Sequence, residues 1–252
     1  MKILNALLLP AVICFLAGCS TTEDKKTLSE LDVLLQKIEH AADPNGVGKN
    51  IRSLRIIAES ELVEQNMKVH TVITFRFPHE MKETVKLGTL LDVSCIYNGE
   101  KGVEITKGLG SRALTPAEMN SKKFEIMTSD PRLHFSDVFD EVTLAPEKVT
   151  VNGKPCYHLT GKPLKSLNLA PVQMYFDAET YLMVRQDFIA PTQMGNVPMT
   201  SETSDYKEVD GLFFSTRATT KFLGTTMNTV VEKVELNPSL GADEFKVSDD
   251  DE

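Results

Sequence analysis

Met67-Lys68-Val69-His70-Thr71-Val72-Ile73-Thr74-Phe75-Arg76-Phe77 decides the fold class. Met67, Val69, Thr71, Ile73, Phe75 and Phe77 fall on one side of a two-residue period. Lys68, His70, Thr74 and Arg76 fall on the other, with Val72 the exception. Such alternation is the mark of a strand with one face buried. The pattern recurs down the chain. Val172, Met174 and Phe176 alternate with Gln173, Tyr175 and Asp177. Leu182, Val184 and Phe188 alternate with Met183, Arg185 and Asp187. Phe214, Ala218 and Phe222 alternate with Ser215, Arg217 and Lys221. Further strands are expected over 54–64, 83–87, 90–97, 102–107, 147–151, 156–161 and 227–236. Asn98-Gly99, Asn152-Gly153, Asp210-Gly211 and Leu223-Gly224-Thr225 read as the turns between them, because Asn-Gly and Asp-Gly suit positive φ. Strand after strand with short turns predicts an antiparallel sheet.

Two segments break the rhythm. Thr27 with Glu30 reads as a capping box, and Leu28, Leu31, Leu35 and Ile38 then recur at helical spacing, which predicts an amphipathic helix ended by Asp43-Pro44-Asn45-Gly46. Thr115-Pro116-Ala117-Glu118 reads as an N-cap, a proline at the first helical position and an acid in the first turn. Phe124 and Met127, with Met119, share a face of that inserted helix, and Asp130-Pro131 ends it.

The N-terminus carries one charge, Lys2, then an apolar run to Ala17, too short to cross a bilayer as a helix. It closes on Leu16-Ala17-Gly18-Cys19, which resembles a bacterial lipobox. The expected organisation is a signal peptide over 1–18, a lipidated tether over 19–26 beginning at Cys19, one domain over 27–247, and an acidic tail over 248–252. No Asp follows Cys19, which favours the outer membrane, facing the periplasm. Lipid attachment at Cys19 would hold the protein there.

Composition narrows the partners. The 252 residues carry 27 basic and 36 acidic side chains, a net charge of −9. Loss of a leader whose only charge is Lys2 deepens it by one. That balance argues against nucleic acid and against electrostatic docking on anionic lipid. Of the 4 Cys, Cys95 and Cys156 remain for a pairing that sequence leaves open. The 5 His show no metal-binding spacing, and no G-x-S-x-G elbow is present. Glu59 and Glu61 share a strand face, Glu232 and Glu235 do not, and solvated charge accounts for all four. Gly108-Leu109-Gly110-Ser111 reads as a loop. Neither an enzyme nor a cofactor is expected.

Several segments, in this order, resemble the outer-membrane lipoprotein-sorting superfamily: Tyr97 to Gly102, Leu114 to Glu118, Val151 to Leu159, Met174 to Arg185, and Tyr206 to Phe214. The resemblance implies a mainly β fold with α: a single curved antiparallel sheet of about eleven strands forming an unclosed β-barrel. An N-terminal helix and a short inserted helical segment plug it. It also implies a hollow for lipid or lipoprotein acyl chains. The expected lining is Leu31, Leu35, Val69, Ile73, Phe75, Phe77, Phe124, Met127, Met174, Phe176, Val184, Phe188, Phe214 and Phe222. The alternative is an envelope-stress sensor or scaffold that uses the same fold to hold a protein partner.

Overall fold

The computed structural model describes residues 28–247, so the signal peptide, Cys19, the tether and the acidic tail lie outside the described residues. The strands are β1 (Ser53–Leu62), β2 (Met67–Arg76), β3 (Glu80–Leu87), β4 (Leu91–Tyr97), β5 (Gly102–Thr106), β6 (Gly110–Ala113), β7 (Phe139–Leu144), β8 (Val149–Val151), β9 (Lys154–Pro163), β10 (Val172–Asp177), β11 (Met183–Thr192), β12 (Gly195–Val209), β13 (Leu212–Phe222) and β14 (Thr225–Leu236). The helices are α1 (Glu30–Ala42), α2 (Pro116–Ser129) and α3 (Phe135–Val138).

All fourteen strands join one antiparallel sheet in the order β6-β5-β4-β3-β2-β1-β14-β13-β12-β11-β10-β9-β7, with β8 on β9. The chain therefore starts mid-sheet at β1 and meanders out to the edge at β6. It crosses through α2 and α3 to the opposite edge at β7, then meanders back until β14 closes on β1. The sheet is curled but not closed into a barrel. Its inner face carries the core in three main clusters. Leu62, Val69, Val85, Leu91, Met199 and Phe222 form one. Ile56, Ile73, Phe75, Met81, Ile126 and Phe214 form a second. Leu34, Ile38, Phe135, Leu159, Met174 and Phe176 form a third, beneath α1 and α3. Each buried side chain of this size contributes roughly 1.5–3 kcal/mol.

Fourteen strands stand against the eleven expected. The additions are β6, β7 and β12. The segment 110–113 is a strand rather than loop, and Lys107, Gly108 and Leu109 make the turn. β12 is long, but Asn196, Pro198 and a run of Ser and Thr disguise it. Its buried positions still alternate at Val197, Met199 and Ser201. The N-terminal helix also begins later than its expected cap. Ser29 is the N-cap, its hydroxyl accepting from the Asp32 amide while Asp32 accepts from the Ser29 amide. Glu30 is the first helical residue, and Thr27 lies outside the described residues.

Candidate functional site

The expected lining residues are mostly buried, and the structure divides them among the clusters. Val69 and Phe222 lie in the first; Ile73, Phe75, Phe77 and Phe214 in the second; Met174 and Phe176 in the third. The Phe75 and Phe77 rings stack at 5.7 Å between centroids. Leu31, Leu35, Phe124 and Met127 are half-buried against the third cluster, and Phe188 touches the first and third. Val184 joins none. The β10–β11 register slips so that Phe176 faces Met183 while Tyr175 faces Arg185, leaving Val184 as the extra residue. Met183 is buried in its place.

Space between these groups is small in this conformation. A pocket of ≈ 20 Å³ lies among Ile38, Phe135, Phe176 and Met183. Another of ≈ 40 Å³ lies between α2 and β10–β11, among Phe124, Val172, Phe188 and Ile189. Each has room for no more than a few waters. Pockets for drug-sized ligands run to several hundred cubic ångströms, so neither space holds such a ligand in this conformation.

α2 is held by charge as well as by apolar contact, with Ile126 and Met119 on the second cluster and Phe124 and Met127 on the third. Its capping box forms as the sequence predicts, Thr115 with Glu118. Its most buried face, however, is not the one bearing Phe124 and Met127. It carries Glu118, Lys122, Glu125 and Ile126. Beneath it, Glu83, Cys95, Glu104 and Arg112 stand in one row across β3, β4, β5 and β6. Lys122 Nζ donates to Glu83 at 2.9 Å and to Glu125 at 3.1 Å. Arg112 donates to both Glu104 and Glu118 at 2.9 Å. Gln193, from the β11–β12 turn, reaches across to Glu104 at 3.1 Å.

The electrostatics follow from burial and pairing. Burial opposes the charge on Lys122, but Glu125 and Glu83 outweigh it and hold the ammonium well above its ordinary range. Burial pushes Glu83 up against the pull of Lys122. Burial also works against charge on Glu118, yet bonds from Arg112 and Thr115 keep its carboxyl below the usual value. The Cys95 thiol, buried beside these acids, is pushed up to about 12, which makes it unreactive as a nucleophile at neutral pH. Both Cys95 and Cys156 are free thiols. Sequence reasoning missed this seam. Its one local signal is Glu83, an acid on the buried face of β3 between Met81 and Val85.

The rim of the curled sheet is asymmetric. Val63, Leu90, Leu109, Met194 and Leu223 are exposed apolar side chains. They sit in the β1–β2, β3–β4, β5–β6, β11–β12 and β13–β14 connections, which the strand order places at one end of the sheet. Leu90 is 77% exposed, Leu109 83% and Leu223 58%. Turns at the other end carry Asn98-Gly99-Glu100, Asn152-Gly153, Glu179-Thr180 and Asp210-Gly211. Leu223 takes φ 47°, a left-handed conformation that Asn or Gly occupies at less cost.

No family model and no curated protein matches the sequence. Solved structures do match by shape. An outer membrane lipoprotein-sorting protein domain from Vibrio parahaemolyticus superposes with TM-score 0.54 at 11% identity, over 84% of this chain and 94% of its own. A LolA superfamily protein from Nitrosomonas europaea gives 0.57 at 10%, over 85% and 96%. A DUF1329 family protein from Desulfovibrio piger gives 0.50 at 11%, over 87% and 98%. Nearly the whole length of each is matched, so this chain shares the fold of these three proteins.

Proposed function

We propose that this protein is an envelope lipoprotein, lipidated on Cys19 and held at the periplasmic face of the outer membrane. It receives acyl chains of lipids or lipoproteins at the rim end of its half-barrel. It works by binding, without catalysis. The observation that carries the reading is the row of apolar turn tips confined to one end of the sheet. Exposed apolar surface of this kind marks contact with an apolar partner. A leucine kept at a left-handed turn position, against its conformational preference, points the same way. The pocket of ≈ 40 Å³ between α2 and β10–β11 marks where a chain would enter as α2 lifts.

Native mass spectrometry of the protein taken from the envelope, with extraction of copurifying lipid, tests this. An acyl-lipid adduct beyond the Cys19 anchor is expected, and its identity names the ligand. A ligand-free mass that takes up no offered phospholipid, with one protein partner in stoichiometric amount, replaces lipid binding with the scaffold reading.

A further inference from the structure

The outer face of the sheet holds a second group of side chains, unconnected to the lipid reading. Glu59 on β1 stands directly opposite His70 on β2, and Val230 of β14 faces Glu59 from the other side. The β1–β14 register slips between Ile57 and Ala58. Ile57 faces Lys233 and Ala58 faces Val231, so Glu232 is the extra residue of a β-bulge. Bulges re-aim side chains. Here the result is convergence: a ring nitrogen of His70 and one carboxylate oxygen each from Glu59 and Glu232 lie within 4.8 Å of one another. His70 Nδ1 is 2.5 Å from Glu59 Oε1.

Most cations around this group are paired elsewhere, and Lys68, which shares the cleft, pairs with neither Glu59 nor Glu232 among the described residues. Lys233 pairs with Glu235 at 2.6 Å, Arg55 with Glu235 at 3.4 Å, and Arg217 with Asp205 at 2.7 Å. Glu232 has no ion pair or hydrogen bond among the described residues. Two carboxylates thus meet around one imidazole with no Lys or Arg paired to either, a charge balance that a dication would complete. The donor set is one imidazole nitrogen and two carboxylate oxygens. Imidazole with carboxylate suits zinc and its first-row neighbours, whereas calcium and magnesium take oxygen alone. Cis ligands on such an ion stand about 3 Å apart, so small rotamer changes suffice. All three residues sit on strands in the middle of the sheet, which fixes their backbones in advance. Glu59 and Glu232 also line an open polar cleft of ≈ 830 Å³, with Lys68, Glu202 and Arg217 around it.

We propose that Glu59, His70 and Glu232 bind a divalent transition-metal ion of the zinc class. His70 ligates through Nδ1, and the remaining coordination positions open to the cleft. Isothermal titration of the full-length, untagged protein in detergent with ZnCl₂, at about pH 7.5, should show one saturable site. CaCl₂ should give none. His70→Ala and Glu232→Gln change side chains on the outer face, so the β-sheet circular dichroism should persist while zinc affinity falls about tenfold or more in each. Loading with Co²⁺ should give weak visible bands of nitrogen and oxygen ligands, without the thiolate charge-transfer band that Cys95 or Cys156 would produce. Absence of saturable zinc binding, affinity unchanged in both variants, or a thiolate band would each overturn the assignment.

Discussion

At the scale of single residues, Lys122 has the clearest consequences. It is the only cation in contact with Glu83 and Glu125 among the described ion pairs. Replacing it by an apolar residue would leave two acids buried together. Lys122→Met should lower stability by about 3–5 kcal/mol, read from urea unfolding at neutral pH. Removing all three charges, as Glu83→Leu, Lys122→Met and Glu125→Leu together, should recover most of that loss, because well-packed apolar side chains replace buried ion pairs at little or no cost. A Lys122→Met effect below about 1 kcal/mol would mean the seam is not ionised. Glu118 gives a pH signature. Its folded value lies below the ordinary 4.5, so its stabilisation is present above that pH and fades as pH falls through the folded value. The stability gap between wild type and Glu118→Gln should therefore be widest near neutrality and close on acidification below about pH 4.5. A gap that does not vary with pH would place the contribution in packing rather than in the Arg112 and Thr115 bonds.

At the scale of elements, the rim turns set a conflict between fold and function. Leu223 holds φ 47° at the β13–β14 hairpin, followed by Gly224 at φ 76°. Both angles belong to the turn that prefers Asn-Gly. Leu223→Asn should raise the melting temperature, since a left-handed β-carbon costs about 1–2 kcal/mol in a residue without a local hydrogen-bonding group. The same substitution, combined with Leu90→Ser and Leu109→Ser, should cut flotation of the protein, expressed without its lipid anchor, with phospholipid vesicles by about tenfold or more. Three partly inserted leucines losing about 0.5 kcal/mol each, a fraction of full burial, together make the roughly 1.4 kcal/mol of a tenfold change. Undiminished flotation would remove the rim from the lipid reading. Of these tips, only Leu223-Gly224 was legible in the sequence as a hairpin turn and Gly108-Leu109 as a loop, while Val63 and Leu90 fell within expected strands. Their exposure was not legible, because a lone Leu in a turn carries no sign of whether it folds inward. α2 divides in the same way. Thr115-Pro116 and Glu118 announced its start, and Phe124 and Met127 do rest on the third cluster, but the ionic part of the seat, through Glu118, Lys122 and Glu125, was not announced. Helical periodicity ranks apolar faces and has no means of seeing that Glu83 waits beneath Lys122.

At the scale of the whole molecule, the curl of the sheet creates what sequence could not show. Glu83 and Lys122 become neighbours only once α2 lies back over β3, and His70 and Glu232 only once β14 has closed on β1. The alternation made the strands legible, and the resemblance to lipoprotein-sorting proteins supplied the half-barrel. Side-chain neighbours across the fold depend on register, and single-residue bulges at Val184 and Glu232 shift that register without any local mark. The same topology makes α2 the element that would gate the proposed acyl-chain entry. It is the connection between the two free edges, so it lies over the concave face without belonging to the sheet. A buried ionic seat gives little net stability compared with apolar packing, while β1, β2 and β14 are paired on both sides in the sheet's middle. α2 should therefore open well before the sheet does. Native-state hydrogen exchange resolves this, since amides in a local opening unit exchange at a lower free energy than those needing global unfolding. The amides of 119–129 are expected to exchange through such an opening, and β1, β2 and β14 only with global unfolding. Offered acyl lipid should shift α2 alone, because a ligand moves an equilibrium only by its preference for one state. If α2 instead exchanges in step with the central strands, with lipid and without, it is part of a permanently closed core. The acyl chain would then have to be held at the rim alone.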